Sequence, residues 1–282
     1  MRVVGLLVAV AATAVTTWVI VPMVGPAPSG TQPWGTELAD NFTLARAIPL
    51  TLGLGVLWGI VGGLASRGRA RGAKRFSPAA IALHWILALG FLIALPTGVW
   101  QYMGGILDVQ GPWPTYLYYR WHYVGAGIIL TCVAAVVTYW WITGDRTLVI
   151  PRGEWRRHLR GFAQELPRPI GGRLARWLKL DLSQPAGSSG TFSFYEKVFE
   201  FPTWTFAIAL ITVTGIVKAI RYVVPIPGPI LFVDSTLHVA AMVLILIKTL
   251  DHLRYTLGHW SVMPSMLSGA QPPPGATTGG DE

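Results

Sequence analysis

The chain has 282 residues, of which 52% are hydrophobic and only 12% are charged. Several apolar runs reach the length that crosses a bilayer, so the sequence predicts an integral membrane protein. The formal net charge of +9 is concentrated in the loops between these runs, which indicates membrane topology and gives no reason to expect a nucleic-acid partner. The single cysteine, Cys132, lies inside an apolar run and excludes an internal disulfide and a cysteine-based metal motif.

The apolar runs predict six transmembrane helices and an all-α fold in contact with membrane lipid. In chain order they cover residues 3–24, 48–65, 79–100, 116–142, 201–222 and 232–255. The first run follows Arg2 and has two readings, a cleaved signal peptide or an uncleaved anchor. Its long apolar core, and Pro28 directly after the nearest small-residue cleavage pattern, favour the anchor.

Basic residues indicate the orientation of the chain. Five of them lie between spans two and three, and ten lie between spans four and five. The positive-inside rule places both basic loops in the cytoplasm, and both termini then lie there too. The chain is therefore expected in the cell membrane as a multi-pass protein, with a Pro/Gly-rich, disordered tail at 270–282.

The long cytoplasmic loop, residues 143–200, contains an amphipathic segment. Trp155 and Phe162 lie on one helical face with arginines between them, which indicates a helix resting on anionic lipid headgroups. A docking surface for a cytoplasmic partner is the alternative. His158 in this loop and His259 after the last span lie among polar residues, and both are interpreted as surface histidines.

Four histidines lie inside the predicted spans, at two depths. His84 and His252 lie near the cytoplasmic ends of spans three and six, whereas His122 and His238 lie near the outer ends of spans four and six. His238 and His252 are fourteen residues apart, which is about four helical turns and about 21 Å, so both project from one side of span six. A lone membrane histidine often only bonds a neighbouring helix. Two pairs at matching depths instead predict an inner and an outer metal ligand pair.

Two imidazoles at one depth suit the axial positions of a planar macrocycle. Bis-histidine haem is mainly an electron carrier, because the second histidine occupies the position that a small ligand would take. Zinc is the rival metal, but it needs three or four clustered ligands. Arg75, Arg120 and Arg254 lie near the ligands at the matching membrane surfaces, where they suit haem propionates or, equally, anchor the helices at the interface.

Spans three to six resemble the two-haem cytochrome b (gamma) subunit of membrane-bound formate dehydrogenases and nickel–iron hydrogenases. The resemblance covers about residues 76–269 and rests on four stretches: ALHWILALGFLIALPTG with His84, RWHYVGAG with His122, VTG in span five, and STLHVAAMVLILIKTLDHLRYTLG with His238 and His252. It implies a four-helix bundle with two haem b groups. The outer haem would use His122 and His238, and the inner haem His84 and His252.

The same resemblance implies partners and a direction of electron transfer. Electrons would come from an extracytoplasmic catalytic subunit through an iron–sulfur subunit, with formate dehydrogenase ranked ahead of hydrogenase as the source. They would pass from the outer haem to the inner haem and reduce a quinone, menaquinone or ubiquinone, near the cytoplasmic face. Residues 1–75 would add two N-terminal transmembrane helices to the bundle, with an extracytoplasmic loop and a basic cytoplasmic linker.

The start of span five, FSFYEKVFEF, lies at the depth of the inner histidine pair. In formate dehydrogenase subunits this stretch can carry an Asn and a Gly in the quinone pocket, and Ser193 and Tyr195 stand at the approximate positions here. Tyr195 and Glu196 offer hydrogen-bond or proton partners to a quinone. Anchoring of span five at the interface is the alternative, because tyrosine, phenylalanine and charged residues are common there.

Two other functions fit the same residues. One is a self-contained two-haem quinone oxidoreductase with a small donor such as superoxide or ascorbate, although such chains are usually shorter. The other is a transporter whose histidines relay protons without haem. Lys248 lies one turn before His252, inside the membrane, and an unpaired ammonium there is costly. We therefore expect Lys248 to face haem propionates, a carboxylate or water.

Overall fold

The computed structural model describes residues 11, 13–15, 18, 33–66, 76–109, 111–190, 192–221, 223–258 and 263–269. These residues form helices joined by turns and short loops, with no strand among them. The helices are, in chain order, α1 (Pro33–Ser66), α2 (Pro78–Leu107), α3 (Thr115–Thr143), α4 (Trp155–Glu165), α5 (Arg168–Trp177), α6 (Phe201–Ile220), α7 (Gly228–Gly258) and α8 (Met263–Ser268). A π-helical turn, Glu196–Glu200, leads directly into α6.

Five helical segments are long and apolar enough to cross a membrane, and they correspond to predicted spans two to six. They are Asp40–Ser66, Pro78–Leu107, Thr115–Thr143, Glu196–Ile220 and Gly228–Gly258. The predicted all-α, multi-pass architecture is therefore confirmed for the part of the chain that the structure describes. The predicted first span (3–24), apart from isolated positions, the basic linker (67–75) and the tail (270–282) lie outside the described residues.

Helix α1 begins at Pro33, well before residue 48, where the apolar run predicted the second span to begin. The additional turns contain Asp40 and Asn41, which interrupt the apolar pattern but are buried. Both have partners on α3: Arg120 Nε donates to Asp40 Oδ2 at 2.6 Å, and the Tyr123 hydroxyl donates to Asn41 Oδ1. Polar groups inside a bundle are tolerated when they are bonded in this way, so the helix continues through them.

Helix α1 lies against α3 along a seam of small residues. Gly55 and Gly59 of α1 meet the backbone carbonyls of Thr131 and Ala135 on α3. A Cβ at Gly59 would lie 2.5 Å from the Ala135 oxygen and 2.6 Å from Thr138 Cβ, which is closer than such atoms approach without displacement. Close backbone approach of this kind is the usual basis of helix packing in lipid, where apolar side chains gain little by leaving the tails.

The remaining spans form two further packed pairs. Helix α2 packs on α3, where a Cβ at Gly90 would lie 3.0 Å from the side chains of Ile128 and Ile129, and helix α6 packs on α7. The backbone of α7 approaches α2 at few positions and α3 hardly at all. Side chains that face each other from α7 to α2 or α3 therefore lie across a gap between these helices, while α6 packs on α1 and α3 through Ala219.

The loop between α3 and the π-helical turn folds onto the start of α6. Phe162 of α4 stacks on Phe199 at 6.2 Å between ring centres. The Glu165 carboxylate accepts the backbone N–H groups of Phe194 and Tyr195 at 3.0 and 2.6 Å, and burial raises the pKa of this carboxyl above its ordinary value. One face of the amphipathic segment thus covers the beginning of span five, while Trp155 stays 51% exposed.

The interpretation of His158 as a surface histidine is wrong. Its side chain is buried, with 2% of the residue exposed, because its ring meets Phe194 edge-on at 5.4 Å. His158 Nδ1 lies 3.0 Å from the Glu154 carbonyl oxygen one turn earlier. Its neighbours in sequence are polar, but this contact with the start of span five removes it from solvent. His259, interpreted in the same way, lies outside the described residues.

The first prediction concerns the buried pair of Asp40 and Arg120. Their side chains are 8% and 4% exposed, so replacing Asp40 with Ala leaves a buried guanidinium without its counter-charge. We expect Asp40→Ala to lower the free energy of unfolding by about 3–5 kcal/mol, measured by denaturant unfolding in detergent. Asp40→Leu combined with Arg120→Met should recover most of that loss.

Arg46→Ala is the matched control for this experiment, because Arg46 is an exposed charge on the same helix. It should change the free energy of unfolding by no more than about 0.5 kcal/mol. An Asp40→Ala protein as stable as the Arg46→Ala protein would show that the pair does not hold α1 to α3.

Candidate metal centres

The outer histidine pair joins α3 to α7. The ring centres of His122 and His238 lie 6.4 Å apart, with the ring planes at 73°. His122 Nδ1 lies 2.9 Å from the Ala94 carbonyl oxygen of α2, and His238 Nδ1 lies 2.9 Å from the Thr214 hydroxyl of α6. Each bond occupies Nδ1 and fixes the ring, which leaves Nε2 as the nitrogen available to a metal.

The inner pair joins α2 to α7 at the other end of the same spans. The ring centres of His84 and His252 lie 6.2 Å apart, with the planes at 56°. His252 Nδ1 lies 3.5 Å from Glu200 Oε1 at the end of the π-helical turn. Both rings contact indoles edge-on: Trp85 lies 5.4 Å from His84, and Trp204 lies 6.2 Å from His252. The structure thus brings together the same histidines that their predicted depths had paired.

The spacing within each pair suits one metal ion between two imidazoles. A metal–imidazole bond is about 2 Å long, so two such bonds and the two ring radii span about 6 Å between ring centres. Among the described residues, no group of three or more His, Cys, Asp or Glu side chains is placed to hold a metal. Two imidazoles alone are an incomplete set for zinc, but they complete a haem, whose macrocycle supplies the other four nitrogens.

Small residues lie beside the outer pair, where a flat macrocycle requires room. A Cβ at Gly98 would lie 3.0 Å from His122 Cε1, and a Cβ at Gly215 would lie 3.5 Å from His238 Cε1. Larger residues at these positions would press on the ligand rings. The residues at the two pairs are therefore compatible with a haem held between two histidines. The glycines beside the outer pair and the gap between α7 and the α2–α3 pair are consistent with the room that a haem requires.

The three arginines predicted near haem propionates have different surroundings. Arg120 is buried and donates to Asp40 on α1, while its Nη1 is buried and has no hydrogen-bond partner among the described residues. Arg254 is exposed and donates to Asp251 at 2.9 Å. Arg75 lies outside the described residues. The propionate role of each arginine stays a prediction.

The residues predicted for the quinone site also have protein partners. Ser193 and Glu196 form a reciprocal helix cap: Glu196 Oε2 accepts the Ser193 N–H at 2.7 Å, and Ser193 Oγ accepts the Glu196 N–H at 3.0 Å. The Tyr195 hydroxyl donates to Asp251 Oδ2 at 2.9 Å. Burial, and then this bond, raises the pKa of Tyr195, so its phenol stays a donor. The quinone role of these residues stays a prediction.

Lys248 faces carboxylates, and a carboxylate was one of the partners predicted for it. Its ammonium is buried, donates to Glu200 Oε2 and lies 3.3 Å from Asp251 Oδ2. Glu200 was not predicted as a site residue. The sequence carried one indication of this role. A lysine inside span six requires a counter-charge, and Glu200 is an acid at the edge of span five, the preceding span.

Facing histidine pairs towards both ends of one membrane-spanning helix define a membrane protein with two candidate bis-imidazole centres. The sequence model of the family described as prokaryotic cytochrome b561 matches residues 75–269, which is more than half of the chain. The chain therefore belongs to the prokaryotic cytochrome b561 family. No curated protein and no solved structure matches it.

Family membership identifies a membrane cytochrome b that transfers electrons through haem b. When bound, haem would supply one-electron redox chemistry, and the paired histidines would hold it. The Nδ1 partners of His122, His238 and His252 fix the orientation of those three rings. The association with formate dehydrogenase or hydrogenase is finer than the family and stays a prediction.

The second prediction concerns the number of haems. Because the four histidines form two separate pairs, we expect two b-type haems per chain, measured by a pyridine haemochrome assay against protein concentration. His122→Ala should remove the outer haem and leave one, because its partner on α7 serves only the outer pair. His158→Ala is the control, since His158 faces Phe194 and belongs to neither histidine pair, and it should retain two haems. A wild-type value of one haem or none contradicts the assignment.

Proposed function

We propose that the chain is the membrane cytochrome b subunit that carries electrons from an extracytoplasmic dehydrogenase to quinone near the cytoplasmic face. Two bis-histidine haems form the path, the outer on His122 and His238 and the inner on His84 and His252. The observation that carries the proposal is the presence of a facing histidine pair towards each end of α7. Fourteen residues separate the two α7 ligands, or about 21 Å of helix, a large part of the roughly 30 Å hydrocarbon layer.

The charge distribution supports the proposed orientation. The inner pair lies towards the N-terminal end of α2 and the C-terminal end of α7. The long basic loop, which carries ten Lys and Arg residues, connects α3 to α6 at this same end. The positive-inside rule assigns that end to the cytoplasm, so the C-terminus is cytoplasmic and the other end receives electrons. A first span at 3–24 would place the N-terminus in the cytoplasm as well.

The beginning of span five is the proposed quinone site. A quinone that accepts two electrons also takes two protons, so its site should join the inner haem to cytoplasmic water. Tyr195 presents a protonated phenol there, bonded to Asp251, which directly precedes His252. Phe162 and Phe199 stack beside it and offer aromatic walls. Ser193 and Glu196 support this wall by capping the helix, so of the three predicted residues Tyr195 is the best-placed quinone partner.

Formate dehydrogenase is the proposed source of electrons, with hydrogenase next. The support is the resemblance of four stretches to the gamma subunits of those enzymes: the three stretches that carry the histidines, and VTG in span five. In this proposal an iron–sulfur subunit and an extracytoplasmic catalytic subunit carry out substrate oxidation, and this chain supplies the route across the membrane. Electrons that cross inward and take up cytoplasmic protons at the quinone contribute to the membrane potential.

A self-contained quinone oxidoreductase is the second candidate. The family description, prokaryotic cytochrome b561, favours keeping this candidate, because the description names a cytochrome without naming a catalytic partner. Such a protein would reduce its own haems from a small donor such as superoxide or ascorbate. Purification from native membranes separates the candidates. Large iron–sulfur and catalytic subunits that co-purify, and formate-dependent reduction of both haems, support the first; rapid reduction of the isolated chain by ascorbate supports the second.

The third prediction concerns Tyr195. Tyr195→Phe removes the hydroxyl that donates to Asp251 but keeps the ring, so we expect quinone reduction to slow about tenfold, which corresponds to about 1.4 kcal/mol. Donor-driven reduction of both haems, measured by stopped-flow visible spectroscopy, should be unchanged. Glu196→Gln is the matched comparison, and it should slow quinone reduction less, because its amide still accepts the Ser193 N–H.

Unchanged quinone kinetics and inhibitor affinity in the Tyr195→Phe protein would place the quinone elsewhere. Perturbation of the outer haem by quinol analogues would contradict the proposed direction of electron flow as well.

A further inference from the structure

Glu200 is the last residue of the π-helical turn that leads into α6. Its carboxylate meets three side chains: Oε1 accepts the Trp204 indole N–H at 3.0 Å, Oε2 accepts from the Lys248 ammonium, and Oε1 lies 3.5 Å from His252 Nδ1. A π-helical turn places its residues differently from a continuous α-helix and often occurs at functional sites. Here it aims the carboxylate at α7.

The position of this carboxylate is fixed from two sides. Lys248 holds one oxygen with a side chain that is only 4% exposed, and Trp204 holds the other. Lys248 is in turn within 3.3 Å of Asp251 and lies over the Phe199 ring at 4.8 Å. Trp204 also meets the His252 ring edge-on, with the planes at 90°. Glu200 is therefore held beside His252 Nδ1, which leaves Nε2 as the nitrogen available to a metal.

The two histidine pairs differ in the charge of their Nδ1 partners. At the outer pair, His122 faces the Ala94 carbonyl and His238 faces the Thr214 hydroxyl, and both partners are neutral. At the inner pair, His252 faces a carboxylate. A carboxylate on the second ring nitrogen makes an imidazole a more basic ligand and stabilises the oxidised metal. The ammonium of Lys248 acts in the opposite sense.

We propose that Glu200 is a positioning residue for His252, and that the Glu200–Lys248 pair sets the reduction potential of the inner haem separately from the outer haem. The inference rests on the proposed function in one respect, since it takes His252 as an axial ligand. It assigns two residues to the tuning of one centre, and neither residue touches the outer pair.

Redox titration of the purified protein, followed by visible spectra, tests the proposal. Glu200→Gln keeps the shape and the acceptor oxygen but removes the negative charge, so the inner-haem potential should rise and the outer-haem potential should stay unchanged. Lys248→Met removes the positive charge, so the inner-haem potential should fall. The double variant, which is neutral at both positions, should return towards the wild-type value. A His122→Ala protein, which retains only the inner haem, assigns the two potentials.

Two further variants separate tuning from a structural role. Asp181→Asn removes an exposed carboxylate in the loop, and it should move neither potential. Trp204→Phe removes the indole bond to Glu200 Oε1 and keeps an aromatic ring beside His252, and it should shift the low-spin electron paramagnetic resonance signal of the inner haem. This variant keeps both charges, so it tests the contact even where a charge change lowers the yield of folded protein.

Opposite shifts from Glu200→Gln and Lys248→Met establish the proposal, because loss of packing would move the potential in one direction for both. Two retained haems with unmoved potentials and an unmoved resonance signal overturn it, and the pair is then a structural salt bridge only. Failure of the haem assignment on which the proposal rests is distinguishable, because it appears in the wild-type protein as fewer than two haems.

Discussion

The placement of both His238 and His252 on α7 is the constraint on which the structure depends. One helix supplies a ligand to each centre, so its depth and rotation decide the geometry of both centres at once. The opposing ligands come from α2 and α3, which are packed tightly together through Gly90. Helix α7 thus faces α2 and α3 across the two histidine pairs, while its neighbour α6 packs on α1 and α3 through Ala219. A displacement of α7 along its axis therefore changes both pairs together.

Two ion pairs with buried cations join helices at opposite ends of the spans. Arg120 binds Asp40 across α3 and α1, and Lys248 binds Glu200 across α7 and the π-helical turn. An unpaired charge at either position would be costly in lipid, so each pair holds its helices at a defined depth. Their surroundings differ. Arg120 is two residues before His122, about 200° around the helix, and bonds to α1, whereas Glu200 borders a ligand.

The sequence was sufficient for features that depend on helical period and depth. It located five of the spans, and it paired the histidines because their depths follow from topology alone. It also required a partner for Lys248. Features that depend on tertiary contacts were not accessible: Asp40 broke the apolar pattern of α1, and His158 is buried by an aromatic ring from a distant segment. Glu200 lies 48 residues from Lys248 in sequence, and a π-helical turn alters the periodicity that would relate them.

The partnership of Asp40 and Arg120 has a consequence for biosynthesis. Asp40 precedes Arg120 by 80 residues, so it leaves the ribosome first. A charge inside a membrane helix is costly, and the Asp40 carboxylate offsets part of that cost for Arg120. Helix α1 lies before the residues matched by the family, yet it supplies this counter-charge to a helix inside them. A chain that begins after α1 would deliver Arg120 to the translocon without its counter-charge.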